Sequence, residues 1–216
     1  MTNPTPKAIA KTILNTHGET YAQQAGIRLR DAPAPLFQLL CESLLLSARI
    51  SAEKAVEATT ALKYADLTTP RKMAEASWQQ RVEVITDRGY KRFDKQGSTQ
   101  LGQTADFLLK RYYGDLRQLR AEARHDVGQE KRLLQQFQGV GPVGAEIFLR
   151  EVQGLWGEVY PFADAKVTDA AKKLELPSDP QRLARLVQRS DFPRLVAGIL
   201  RVDLAKQHDE VLAQAV

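Results

Sequence analysis

FQGVGPVGAEIFL, residues 137–149, sets two glycines around one valine and follows them with a proline. Gly139 and Gly141 can hold backbone angles closed to other residues, which suits a tight bend, and they leave no side chain over the amide groups. Pro142 lacks only an N–H that a helix start would orphan anyway, so it suits the opening of a helix running to Val152. On the other side, Asp126 with Gln129 predicts a capped helix ending near Phe137. The expected unit is two helices joined by a hairpin, with Val140 plugged into the core. The free N–H groups of the turn and of the first helical turn, through Val143 and Gly144, then face outward. They form a cradle for an anion, and a nucleic-acid phosphate is the natural guest. A plain turn between packed helices is the competing explanation, and glycine and proline content alone favours it.

Outward from the hairpin the pattern is helix after helix, with no alternation of period two. Helices are expected over 7–16, 36–48, 51–63, from Pro70, from Ser77 to Gly89, and over 99–113. Further helices are expected over 126–137, 142–152 and 164–174, then from Ser178 and from Asp191 to Gln207. Start signals recur: Thr69-Pro70 is a cap followed by proline at the first position, and Ser77 with Gln80 is a capping box. The total is about ten helices and no sheet.

Composition bounds the function. The 216 residues are 43% hydrophobic, enough for a sizeable core in one or two domains. No apolar run approaches a membrane span and no basic-then-apolar leader is present, so a cytoplasmic protein is expected. The one cysteine, Cys41, excludes an intrachain disulfide and any cysteine cluster; within LFQLLCESLLL it reads as a buried small hydrophobe. The three histidines show no metal-ligand spacing. Lysine plus arginine total 31 against 26 aspartate plus glutamate, a net charge of +5, which suits a polyanion partner without proving one.

With the hairpin as its anchor, the chain resembles the endonuclease III-like helix–hairpin–helix DNA glycosylase superfamily over about residues 35–175. In that family the GVG hairpin leads into a helix and then an aspartate. Here YPFADAKV follows, which puts Asp164 at the family's catalytic aspartate. Upstream, FQLLCESLLLSARIS resembles the family's helix ending in leucine-leucine-serine-alanine-glutamine, with Arg49 where glutamine is usual. VITDRGYKRFDKQ resembles the family's loop with a glycine, a large residue and a basic group. The resemblance implies an all-α, two-lobed fold with DNA across the cleft. Residues 35–150 would form a six-helix lobe holding the helix–hairpin–helix (131–152). Residues 1–34 with 151–216 would form the second.

Three departures shape the expected chemistry. Bifunctional members carry a lysine in the helix after the hairpin, where this chain has Val143, and valine cannot form a Schiff base. Many members end in four cysteines on an iron–sulfur cluster; none stand here, so no cofactor is expected. Arg49 replaces glutamine. Glu42 aligns with the catalytic glutamate of the adenine-removing branch, although the stripe of Gln38, Glu42 and Arg49 also reads as the wet side of a greasy helix.

The implied activity is a monofunctional DNA glycosylase of base excision repair. It would act as a monomer on double-stranded DNA with a damaged, mispaired or abasic site. Glu42, kept protonated by partial burial, would donate a proton to the leaving base, and Asp164 would stabilise the sugar cation or orient water. Asp164 also reads as a plain helix N-cap, and the two roles can coexist. Lys91, Arg92 and Lys95 read equally as phosphate contacts or solvated surface, and Lys166 stands beside Asp164 in sequence. Arg49 could approach the duplex or pair with an acidic neighbour. Tyr90 is a candidate wedge, while Trp78 and Trp156 read as packing. A monovalent cation at the hairpin carbonyls 137–141 is the one metal allowed. Two rivals stay open: a non-catalytic lesion-recognition protein on the same scaffold, and a glycosylase with lyase activity using a relocated lysine.

Overall fold

The computed structural model describes residues 4–87, 89–90 and 94–216, and those residues contain helices and no strand. In chain order these are α1 (Pro6–His17), α2 (Tyr21–Gln24), α3 (Pro33–Leu46), α4 (Ala52–Tyr64), α5 (Pro70–Glu75), α6 (Trp78–Thr86) and α7 (Asp94–Tyr112). Then come α8 (Leu116–Glu122), α9 (Val127–Leu134), α10 (Pro142–Val152), α11 (Ala165–Lys173), α12 (Pro180–Ala184), a 3-10 turn at Arg189–Asp191, α13 (Phe192–Ala205) and α14 (His208–Gln214).

Most of these starts are fixed by hydrogen bonds within four residues. Ser51, Thr69, Asp126 and Asp179 each accept an N–H from the first turn of the helix they open. Ser77 and Gln80 complete both halves of their capping box. Such a cap contributes about 1 kcal/mol and is written in adjacent residues, which is why the sequence shows it. The helices not foreseen are short or broken by a single residue. Asp115 caps the seven-residue α8. Lys206, at φ 58°, ends α13, and α14 begins two residues on.

The chain divides into two compact units, residues 22–149 and residues 1–21 with 150–216. In the first, the 19-residue α7 packs against α3, α5, α6 and α8, while α4 packs against α3 and α6. In the second, α13 packs against α1, α11 and α14, burying Ile9, Ile13, Val167, Leu195 and Ile199 completely. In this division residues 22–34 go with the first unit, together with α3 through α9 and the first eight residues of α10. Pro33 and Pro35 belong to the first turns of α3 rather than to a linker. The segment before them is tied down, because Lys63 Nζ donates to Gly26 O at 2.6 Å and Arg120 pairs with Asp31 at 3.4 Å.

Candidate functional site

The hairpin is built from the core outward. Phe137 is buried in an aromatic cluster, its ring 4.9 Å from Phe107 and edge-on to it, and 6.2 Å from Tyr112 in a stack. Val140 is buried, and its N–H donates to Phe137 O at 3.0 Å. Thr104 of α7 donates its hydroxyl to Gln138 O at 3.2 Å. Lys131 of α9 pairs with Glu146 of α10 at 2.6 Å, bracing one helix against the other. Gly139 has φ +86°, and a β-carbon there would also run into the side chain of Gln100. Gly139→Ala is therefore expected to destabilise the fold by about 1–3 kcal/mol, read as a lowered Tm.

Gly141, Pro142 and Val143 face solvent. Open space surrounds the α-carbon of Gly141. The first bond of α10 runs from Ala145 N–H to Gly141 O at 3.0 Å. The N–H groups of Val143 and Gly144 precede that bond, so no carbonyl of the helix can satisfy them. They lie at the N-terminus of an 11-residue helix, where the peptide dipoles favour an anion; Val143 is exposed there, while Gly144 is buried beside Val140 and Ser47. Val143 is 37% exposed at the position where the resemblance expects lysine. The carbonyls of Phe137, Gln138 and Gly141 each accept a protein donor, so a cation at 137–141 would have to share them.

Beside the hairpin lies a recess of about 250 Å³ whose lining includes Ser47, Arg49, Tyr90, Gln96, Gln100 and Gly139. Arg49 is exposed, but it stands in the bend after α3 rather than on the helix. Tyr90 is not a wedge: it is 1% exposed and its hydroxyl donates to Leu45 O at 3.2 Å. Burial raises the Tyr90 hydroxyl well above its ordinary pKa. The ring is held in the core by that bond and by packing, so inserting it between bases would empty its site. Lys95 is exposed in the first turn of α7. Lys91 and Arg92 lie outside the described residues.

Asp164 is held at both oxygens. As N-cap of α11 its Oδ1 accepts the Val167 N–H at 3.1 Å, while its Oδ2 lies 2.8 Å from Arg150 Nε, an ion pair rather than an aligned hydrogen bond. The Asp164 side chain is 3% exposed. The loop that delivers it is clamped by Gln153, a buried side chain. Phe162 N–H donates to Gln153 Oε1 at 2.8 Å, and Gln153 Nε2 donates to Phe162 O at 3.1 Å and Arg150 O at 2.8 Å. Gln153→Ala would strip both backbone groups of Phe162. A loss of about 2 kcal/mol in urea unfolding is expected, with slower chemistry wherever Asp164 takes part.

Arg150 is within electrostatic reach of Tyr21, which belongs to a charged cluster. Arg201 sits 5.0 Å over the Tyr21 ring, and Tyr21 N–H donates to Glu151 Oε1 at 3.0 Å. Burial raises the Tyr21 hydroxyl above its ordinary pKa, opposed by Arg201 and Arg150. Arg150 and Gln153 carried no sequence signal as site residues. Their partners lie 9 to 14 positions away across a turn, beyond any helical spacing.

Glu42 departs from its expected setting. It is 0% exposed, in a helix packed against α4, α7 and α8. The wet stripe of Gln38, Glu42 and Arg49 does not exist, because neighbouring helices cover α3 and Arg49 is not part of it. Gln38 turns back to donate to Ala34 O at 3.3 Å. Lys166 is exposed in the first turn of α11. Trp156 is fully buried as expected of packing, but Trp78 is 40% exposed. Among the described residues no three His, Cys, Asp or Glu side chains group to hold a metal, and Cys41 is a buried thiol whose pKa burial raises. One cysteine cannot hold an iron–sulfur cluster of the four-cysteine kind. No helix among the described residues is long and apolar enough to cross a membrane.

No protein-family model matches this sequence, and no curated protein matches it. Solved structures do match in fold. A trapped covalent intermediate of endonuclease III with DNA, an estranged-adenine complex, matches at TM-score 0.50 and 14% identity, covering 92% of this chain and 85% of that one. A non-covalent endonuclease III–DNA complex matches at TM-score 0.54 and 15% identity, covering 89% and 81%. The chain thus has the all-α helix–hairpin–helix glycosylase fold, without the cysteines of a four-cysteine iron–sulfur cluster.

Proposed function

We propose that this chain is a monofunctional DNA glycosylase of base excision repair, acting as a monomer. In this reading it grips double-stranded DNA at a damaged, mispaired or abasic site through the hairpin amides, and it hydrolyses the bond between base and sugar. Two observations carry the reading, one in each unit: the exposed helix start at 141–143, and an Asp164 anchored at both oxygens. The fold shared with endonuclease III supports the pairing of these two features.

The chemistry follows from what each group can do. A nucleotide leaves the duplex so that its sugar can be reached. The bond from sugar C1′ to the base nitrogen breaks, its electron pair leaves with the base, and the base takes up a proton, for which Glu42 would serve only if the base reaches a carboxyl that this structure encloses completely. Asp164 has one oxygen on Val167 N–H and the other beside Arg150, and a carboxylate has about four acceptor positions, so two remain and a water can take one. That water adds to C1′ and passes its proton to the Asp164 carboxylate, which returns it to solvent, leaving an abasic site on an intact strand. With valine at 143, no amine stands there to cut it.

A second reading, lesion binding without excision, is favoured by the Arg150–Asp164 pair. A guanidinium 2.8 Å from the carboxylate offsets much of the charge that would stabilise a sugar cation. Duplexes carrying a panel of damaged and mispaired bases, treated with heat or alkali after incubation, separate the two. Abasic product with no borohydride-trapped adduct supports hydrolysis. Binding with no product across the panel gives the second reading, and a trapped adduct overturns the assignment at Val143.

A further inference from the structure

One face of α7 has no part in the mechanism above. Gln96, Gln100 and Gln103 recur there at helical spacing, with Thr99 between them. They line a trough of about 400 Å³ completed by Trp78, Lys95 and Gln138. Its lining, among the described residues, carries a lysine and no carboxylate. Gln96 and Gln100 also line the recess beside Arg49, so the two cavities adjoin. Gln138 belongs to the hairpin, and Gln100 packs over Gly139, so the trough begins where the DNA backbone is proposed to sit.

Trp78 gives the trough its chemistry. It opens α6 with its ring 40% exposed, and its indole N–H is already donated to Thr99 Oγ1 at 3.0 Å. A tryptophan whose only polar hydrogen is used has its π surface left to offer. Beside it, primary amides present donors and acceptors together, the pattern that matches base edges. An apolar partner would leave those amides unsatisfied, and a carbohydrate would have no use for the positive charge or for the continuity with the hairpin.

From this arrangement we infer that the trough holds an unpaired nucleotide of the bound DNA, its base stacked near Trp78 and its edge met by the glutamines. The inference rests on the DNA-binding reading above and gives it a second element, recognition of single-stranded DNA flanking the gripped duplex. The Gln96-to-Gln103 span, about 1.5 Å per residue, has room for a nucleotide or two.

The test uses the full chain and three probes: a blunt duplex, the same duplex with a short oligo-dA arm, and the same duplex with an arm of abasic nucleotides. The arm with bases is expected to bind about tenfold more tightly than the blunt duplex, the usual scale of one base–aromatic stack. The abasic arm is expected to add little. Tryptophan fluorescence is expected to fall only with the base-bearing arm, and Trp156, being fully buried, supplies a constant background. Trp78→Ala and the exposed Gln103→Ala are each expected to remove the base-dependent gain, with the blunt-duplex affinity unchanged. Circular dichroism melting confirms that both variants fold. Equal binding of the two arms, or a gain that survives both substitutions, overturns the inference while leaving the hairpin reading intact. Failure to bind any of the three probes overturns both.

Discussion

Asp164→Asn is expected to slow single-turnover base excision roughly 100- to 1,000-fold while lesion-DNA affinity stays within about twofold. Asparagine is the same size and is itself a good N-cap, so the Val167 N–H keeps its acceptor. The amide NH2 then faces Arg150, donor against donor, so the pair with Arg150 is lost and a folding cost of about 1–3 kcal/mol is expected. What disappears is the negative charge beside the sugar and the strength with which a water is oriented. Single-turnover rates on the lesion identified by the panel, beside fluorescence anisotropy on an uncleavable analogue, separate the two quantities. An unchanged rate removes Asp164 from the mechanism and leaves it as a cap. Lost affinity with an unchanged rate would make it a DNA contact instead.

Gly141→Asp is expected to lower duplex affinity about 10- to 100-fold with no fall in Tm. The position allows a clean test because nothing lies near the place a β-carbon would occupy, so the fold has nothing to rearrange. A carboxylate there stands in front of the N–H groups of Val143 and Gly144 and repels the phosphate they are proposed to bind. Two like charges about 4 Å apart near a protein surface cost about 4 kcal/mol before salt screening, which brings the expected loss down to the stated range. Anisotropy titrations at several salt concentrations provide the check, and the slope of log affinity against log salt is expected to fall by about one. Gly141→Ala, which adds bulk without charge, is expected to have a smaller effect. Unchanged binding by Gly141→Asp would show that DNA is not held at this helix end, and the functional proposal would fall with it.

Legibility followed the range of the forces involved. Ser77 with Gln80, Asp126 with Gln129, and Asp164 with Val167 are bonds between residues three apart, and each could be read from neighbours in the sequence. The hairpin was legible for the same reason: a positive-φ glycine, a buried valine and a helix-opening proline are local conditions. Glu42 was expected to be partly buried and is wholly enclosed, because a leucine-rich helix looks alike whether one side or every side is covered. Only the arrival of α4, α7 and α8 closes it off. Tyr90 and Trp78 exchanged roles on similar grounds. The aromatic residue expected to project is buried against Leu45, and the one expected to be packed lies open beside Thr99.

The sequence by itself determined an all-helical chain, the hairpin with its outward amides, the capping aspartate after it, and the want of cysteines for a four-cysteine cluster. Tertiary structure alone decided that Asp164 is paired with Arg150, that Gln153 clamps the loop through both polar groups of Phe162, and that glutamines of α7 share a trough with Trp78. A cap or a turn closes over a few residues and has few competitors. A contact between distant segments depends on how whole helices settle against one another, and periodicity along one helix carries no record of its neighbour.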